Sequence, residues 1–341
     1  MPESHSTKPP KNKDNDYLSV VFSFRNEEDV LPELISRIRR ILQEEIKKQS
    51  IAQYELIFVN DCSSDRSLGI LLDQSKTFND IKIINMSRRF GVSPCVMAGF
   101  KHSYGNVIIY MDADLQDPPE LIPQLLGKWR NEESIDVVHT VRESRQGESI
   151  IKLALTRLGY AILNKITSIN LPIEAGDFKL LSRRVVDDLL LMKEKRPFIR
   201  GLVCWVGYNQ AFVPYHRQSR HAGKTKFPIL CSDVINNFLD SALISFSSAP
   251  LKVAIFSGFL AILVDFGLLL HVLSEKLQGK AIPGWTALMI AILFIGSIQF
   301  FCIGIMGLYL NAIFEESKGR PNYIIESTHG FNTNNSSQTS S

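Results

Sequence analysis

NVIIYMDADLQD (106–117) is the stretch on which the fold turns. Its first half is an apolar run rich in β-branched residues, too short for a helix and flanked by Gly105 and Pro118, so it reads as a buried strand. Its second half is a burst of carboxylates. Outward from it the same grammar repeats: YLSVVFSF (17–24), YELIFVN (54–60), IKIINM (81–86) and IDVVHTV (135–141) read as strands. Between them, helices are expected over 28–48, from 65 onward, over 91–102 and over 118–131. Strands without an exposed face, alternating with helices, give an α/β fold with a mostly parallel sheet covered on both sides.

In such sheets ligands bind beyond the carboxyl ends of the strands. RNEED (25–29), VNDCSSD (59–65) and DADLQD (112–117) all fall at such ends. Three acidic clusters therefore line one edge. Neither a P-loop nor a G-x-G-x-x-G motif is present, which removes support from those nucleotide-binding classes. Residues two apart in an extended segment point the same way, so Asp112 and Asp114 form a carboxylate pair suited to a hard divalent cation, Mg²⁺ or Mn²⁺, shared with substrate phosphates. Asp61 is an acceptor-only group able to take the ring N–H of uracil or of guanine. Asp65 has two readings, a site residue or a helix N-cap. Asp177, in EAGDFKLLSRR, is placed to assist a nucleophile, either by orienting it or by taking its proton. Arg200, Arg217, Arg220, Lys224 and Lys226 form a cationic set, four of them within YHRQSRHAGKTKF, suited to clamping phosphates or anionic lipid heads.

The remainder of the chain is organised by charge. Over 341 residues the net charge is +3 and basic runs are absent, which argues against nucleic acid as a partner. Five scattered cysteines lack zinc or disulfide spacing and suit a reducing compartment. Residues 1–16 are polar, lack an apolar signal-peptide core and are expected to be a disordered tail; 17–228 form the catalytic domain. Residues 229–248 suggest an amphipathic juxtamembrane helix, and Ser149 to Ile169 either a similar one or an ordinary amphipathic core helix. Residues 249–312 hold two apolar stretches, 251–273 and 285–310, each long enough to cross a hydrocarbon core, so a transmembrane hairpin is expected, with 313–341 as a tail, disordered from Thr328. The hairpin puts both termini and the large domain on the cytoplasmic side of the plasma membrane. A carboxylate within a span costs about 2.5–3.5 kcal/mol, so Asp265 is expected to face protein or to be protonated, on a face of small residues with Ser257 and Ala261.

With RNEED, VNDCSSD, SRRFG, MDADLQDPPEL, GDFKLLSRR, FIRGLVCWVG, YHRQSRHAGKTKF and the hairpin in this order, the chain resembles family 2 glycosyltransferases of GT-A fold. It is most similar to the polyprenyl-phosphate branch, the bactoprenol glucosyltransferases and dolichol-phosphate mannose synthases. The resemblance spans about Leu18 to Asn311. It implies that Ser23, Glu27, Asp61, Arg88, Asp112 and Gln116 contact a nucleotide-sugar, that Asp112 and Asp114 hold the metal and diphosphate, and that Asp177 matches the proposed base. Arg200, Arg217, Arg220 and Lys224 match an acceptor- and phosphate-binding set. It further implies an inverting transfer of one sugar, with glucose from UDP-glucose as the leading donor and GDP-mannose as the other, onto undecaprenyl phosphate. A homo-oligomer, often a tetramer, is implied, and by analogy a flippase and a periplasmic transferase downstream. The departures are Ser23 for proline, Cys62 for glycine, and Arg89 and Val92 where Asn and Lys are common. They cluster at the donor pocket and bear on the donor sugar. The competing readings are a polymerising synthase, disfavoured because QxxRW is missing, and a non-catalytic membrane scaffold.

Overall fold

The computed structural model describes residues 16–142, 175–195, 197–216, 249–278 and 284–331. They fall into two compact units, an α/β unit that includes 16–142, 175–195, 197–216 and 321–331 and a helical unit that includes 249–278 and 284–320.

In the α/β unit the elements run β1 (Tyr17–Phe24), α1 (Leu31–Lys47), β2 (Gln53–Asn60), α2 (Ser67–Thr77), β3 (Ile81–Met86), α3 (Val92–His102) and β4 (Val107–Asp112). A 3-10 turn (Pro119–Leu121) then leads into α4 (Ile122–Asn131) and β5 (Val137–Arg142). β6 (Ala175–Ser182), α5 (Arg183–Leu191), α6 (Ile199–Trp205), β7 (Gln210–Tyr215) and a last strand β8 (Ile325–His329) complete it. The sheet order is β7-β5-β6-β4-β1-β2-β3-β8. Strands β4, β1, β2 and β3 are parallel, whereas β6 and β8 run antiparallel to their neighbours.

The reason for the sandwich is visible in β1. Leu18, Val20 and Phe22 join a core shared with Leu34, Ile38 and Leu42 of α1 and Leu125 of α4, while Val21 points to the other face, under α3. That second layer sits close because Gly99 has no side chain: a Cβ there would meet Val21 Cγ1 at 2.3 Å. Helix α1 buries Leu31, Leu34, Ile35, Ile38 and Leu42, the i, i+3, i+4, i+7 stripe of an amphipathic helix. It begins later than expected from the sequence, at Leu31, with Pro32 in the first turn, where a missing N–H costs nothing.

In the helical unit, α7 (Ala249–Leu277) and α8 (Gly284–Ser317) contain the two apolar stretches. Among the described residues one helical stretch, Phe294–Ser317, is long and apolar enough to cross a membrane. Its helix runs past the expected end at 310, because nothing in NAIFEES breaks it before Gly319, which takes φ +60. Small residues mark where the two helices meet: Ala254 and Ala261 are buried, Ser257 is half-buried, and the Cys302 thiol lies 3.2 Å from the Ala254 carbonyl. The large apolar side chains point outward, Phe256 68% and Phe300 77% exposed. The Asp265 side chain, the tail 1–15, Ser149 to Ile169 and the juxtamembrane segment 229–248 lie outside the described residues.

One expectation is corrected. The stretch after 312 is not a tail throughout: α8 continues to Ser317 and Ile325–His329 is a strand. The physical cause is the edge of β3, whose backbone groups would otherwise lack a ladder partner; β8 supplies it.

Candidate active site

β1, β2 and β4 end together, and the three acidic clusters follow from their ends. In the DADLQD turn exposure alternates: Asp112, Asp114 and Gln116 are half-buried, while Ala113, Leu115 and Asp117 are buried. The carboxylate pair therefore shares one side, as the i, i+2 spacing requires. The turn is strained as well, since Leu115 sits at φ +55, which a branched side chain avoids. The Gln116 amide donates to Asp114 Oδ1 at 3.1 Å.

Strand β6 adds what the linear sequence hides. Its pairing with β4 sets Lys179 opposite Tyr110, and the same register carried two residues further brings Asp177 beside Asp112. Arg200 of α6 closes on Asp177 with both arms of its guanidinium, Nε to Oδ1 at 2.7 Å and Nη2 to Oδ2. Burial, and then the charge of Asp177, push the Tyr110 hydroxyl up. Two carboxylates side by side in a partly dry site cannot share their charge cheaply. Burial, then the charges of Asp177, Asp114 and Asp117, push Asp112 up to about 8. Burial, the largest single influence, works on Asp177 in the same direction, but Arg200 by charge and hydrogen bond, helped by the charge of Lys179, holds Asp177 well below the usual carboxylate range. Lys179, fully buried behind the pair, is lowered to about 8, chiefly by burial. Arg142 and Tyr215 line the same edge: Arg142 Nε donates to the Tyr215 hydroxyl at 3.2 Å, and that hydroxyl donates to Asp117.

The VNDCSSD loop is built differently. Asp61 is buried and receives the Phe90 amide at 2.6 Å and the Gly91 amide at 3.0 Å, so it ties the SRRFG segment to the end of β2. Cys62 takes φ +55, the left-handed geometry that a glycine would meet without strain. Asp65 accepts the Ser67 amide, the first residue of α2, and the Glu28 amide, which favours its structural reading. The Glu27 backbone amide donates to Ser67 Oγ. Arg88 lies over the Phe90 ring at 4.1 Å. Ser23 stands directly opposite Asp112 on β1, and its buried hydroxyl has no partner among the described residues, an orphaned donor of the kind a ligand satisfies.

Of the residues proposed from sequence, Ser23, Asp112, Asp114, Gln116, Asp177 and Arg200 gather at one edge. Glu27, Asp61 and Arg88 sit on the adjoining loops. Arg217, Arg220 and Lys224, with Lys226, lie outside the described residues. Arg200, which the resemblance matches to the acceptor- and phosphate-binding set, is engaged with Asp177. Tyr110, Arg142, Lys179 and Tyr215 were not singled out from sequence, and the signal that marks Lys179 is a lysine inside a strand otherwise buried. Among the described residues three or more metal-binding side chains do not converge. Two carboxylates at the sheet edge, crowded enough to raise Asp112, do fit a Mg²⁺-type site whose remaining ligands are water and phosphate.

An α/β sheet with acids at the carboxyl ends of its parallel strands and a carboxylate pair after β4 defines the GT-A class of nucleotide-sugar enzymes. Residues 19–190 match Glycosyl transferase family 2, and the chain belongs to that family; it is a glycosyltransferase. It is 40% identical over 313 residues to the glycosyltransferase YkcC of Bacillus subtilis (strain 168), covering 92% of this chain and 94% of that one. It is 34% identical over 311 residues to the prophage bactoprenol glucosyl transferase homolog of Escherichia coli (strain K12), covering 91% and 98%. A solved structure similar to it is the mannosyltransferase PcManGT of Pyrobaculum calidifontis in complex with GDP-Man and Mn²⁺, 14% identical, TM-score 0.44, covering 90% of this chain and 76% of that one.

Proposed function

We propose that the enzyme transfers one glucose from UDP-glucose to undecaprenyl phosphate, giving a lipid-linked monosaccharide and UDP. What supports the acceptor is the near full-length likeness to proteins named bactoprenol glucosyl transferase, together with an apolar helix whose large side chains face outward. In this reading 251–273 and 285–310 form a hairpin in the plasma membrane, with the catalytic domain and both termini cytoplasmic. The protein acts as a homotetramer, feeding a flippase and a periplasmic transferase.

Ser23, Glu27, Asp61 and Arg88 hold the nucleoside side of the donor. Asp112 and Asp114 hold a Mg²⁺ or Mn²⁺ ion, which when bound neutralises the diphosphate as it departs. Gln116 faces the sugar. The observation that carries the assignment is the setting of Asp177 beside Asp112 with Arg200 locked onto it. A carboxylate held so firmly as an anion is a weak proton acceptor, and a lipid phosphate is already an anion near neutral pH. Asp177 therefore orients the acceptor's approach rather than deprotonating it, and the phosphate oxygen attacks the anomeric carbon opposite the leaving UDP, inverting it. Arg217, Arg220 and Lys224 grip the acceptor phosphate, with Arg200 holding Asp177 in place at the edge of that grip.

The test is purified protein in lipid nanodiscs with undecaprenyl phosphate and, separately, UDP-glucose, other UDP-sugars and GDP-mannose, with the lipid product read by mass. UDP-glucose is expected to give one hexose on the lipid phosphate, and chelation by EDTA to abolish it until Mg²⁺ or Mn²⁺ is restored. Turnover with GDP-mannose alone would reject the donor, and a product of rising length would reject single transfer.

A further inference from the structure

Strand β8 follows α8 in the chain, lies far outside the matched family segment 19–190, and yet finishes the sheet beside the nucleotide loop. Its pairing with β3 is irregular. Asn85 stands opposite Ser327 and Met86 opposite Ile325, so Glu326 is an extra residue on the β8 side. Such a bulge re-aims the side chain it carries. Here Glu326 Oε2 accepts from Asn85 Nδ2 at 2.6 Å.

From that contact a relay of side chains runs to the site. Asn60 Nδ2 donates to Asn85 Oδ1 at 2.7 Å. Asn60 Oδ1 accepts both the amide of Ser63, at 3.0 Å, and its hydroxyl, at 2.5 Å. Ser63 Oγ accepts the Asn26 amide at 3.0 Å, and Asn26 Oδ1 accepts the Ser64 amide at 2.8 Å. Asn60 is 1% and Asn85 8% exposed, so water does not substitute for these bonds freely.

The direction of the relay has a single origin. An amide side chain can face either way, but an ionised carboxylate only accepts. Glu326 therefore turns the Asn85 NH₂ toward itself and its oxygen toward Asn60, which in turn presents its own oxygen to Ser63. The far end of the relay needs such support at Cys62, which sits in the left-handed region at φ 55; Asn26, at φ 54, is of a type that tolerates it. β8 also braces the other loop of the pocket, since the Ser87 amide donates to the Ile324 carbonyl at 3.0 Å, just before the segment whose Phe90 and Gly91 amides hold Asp61.

We propose that Glu326 is a positioning residue for the nucleotide: through Asn85 and Asn60 it holds the 60–64 loop in its binding geometry, so that a strand beyond the helical hairpin sets donor affinity. This rests on the assignment of that loop to the nucleotide. The inference predicts a defect in donor binding without one in the chemical step.

The experiment uses the full-length protein in nanodiscs, with UDP titrated calorimetrically and donor kinetics measured in parallel. Glu326→Ala is expected to raise the UDP Kd and the donor KM by about three- to tenfold, the scale of a hydrogen bond to a charged group, with kcat within about twofold of wild type. Glu326→Gln, which can accept but can also flip, is expected to fall between. Thr328→Ala on the same strand serves as the control and is expected to match wild type. In a double-mutant cycle Glu326→Ala adds little once Asn85→Ala is present; if Asn85→Ala does not fold, Asn85→Asp, which cannot donate to Glu326, replaces it. Unchanged Kd and KM in Glu326→Ala, or full additivity in the cycle, overturns the proposal. Wild-type protein that binds neither UDP nor GDP overturns the nucleotide assignment itself, and this inference with it.

Discussion

The two ends of the same sheet both carry buried acids, and they treat them in opposite ways. At the amino end, Asp16 is fully buried and takes bonds from Arg130 and Asn106. Glu55 takes bonds from Ser19, the Tyr104 amide and Lys82. Asp136 is held by Arg184 and Ser182. At the carboxyl end, burial and then the charges of Asp177, Asp114 and Asp117 push Asp112 up to about 8. At the amino end the fold's own cations answer each acid; at the carboxyl end Asp112 keeps an unfavourable balance of burial and like charge even with Arg200 engaged by Asp177. The chemistry belongs to the second end.

The largest effect that would sharpen this contrast is at Asp114. Asp114→Asn is expected to cut turnover by about 10²–10³-fold with the melting temperature unchanged or raised, since a like charge leaves a crowded edge. Lost stability would mean that the acid was structural. At the opposite end Asp16→Ala should do the reverse. Removing one partner of a buried pair costs about 3–5 kcal/mol, so a clear drop in melting temperature is expected, while the KM of the surviving enzyme stays as in wild type.

Much of this contrast was legible beforehand, for a physical reason. Strands β1 to β4 are buried on both faces, so they read as unbroken apolar runs, and their bounds fall within a residue of expectation. The Asp112–Asp114 pair was legible because strand geometry fixes i, i+2 neighbours. The partners of Asp177 were not, since Arg200 lies 23 residues on and Asp112 joins it only through the antiparallel register of β6. Strand β8 was opaque for the same reason: IESTH has few apolar residues, and only the open edge of β3, some 240 residues earlier, makes it a strand.

A smaller effect probes Arg200. Burial raises Asp177, and Arg200 more than reverses this, so in wild type Asp177 stays ionised through the whole neutral and mildly acidic range. Arg200→Ala removes the larger of the two lowering charges, leaving Lys179, and the folded-state pKa of Asp177 must rise. Turnover is expected to fall about tenfold at neutral pH and to fall further as pH drops, with an acid limb steeper than that of wild type because Asp177 now titrates beside Asp112, read from kcat/KM against pH. A parallel profile in both proteins would show that Asp177 ionisation does not matter. The smallest effect is at Ser23, whose buried hydroxyl has no partner among the described residues. Ser23→Ala is expected to raise donor KM by about two- to threefold without loss of stability, because no internal hydrogen bond is given up.

Most direct of all is to follow a radiolabelled sugar from UDP-glucose into lipid by wild type and Asp114→Asn side by side, with undecaprenyl phosphate as acceptor. The geometry at the carboxyl end predicts a single labelled species, one hexose per lipid phosphate, formed by wild type and almost absent in the variant. Equal labelling by both proteins, or label that enters lipid with neither, would contradict it.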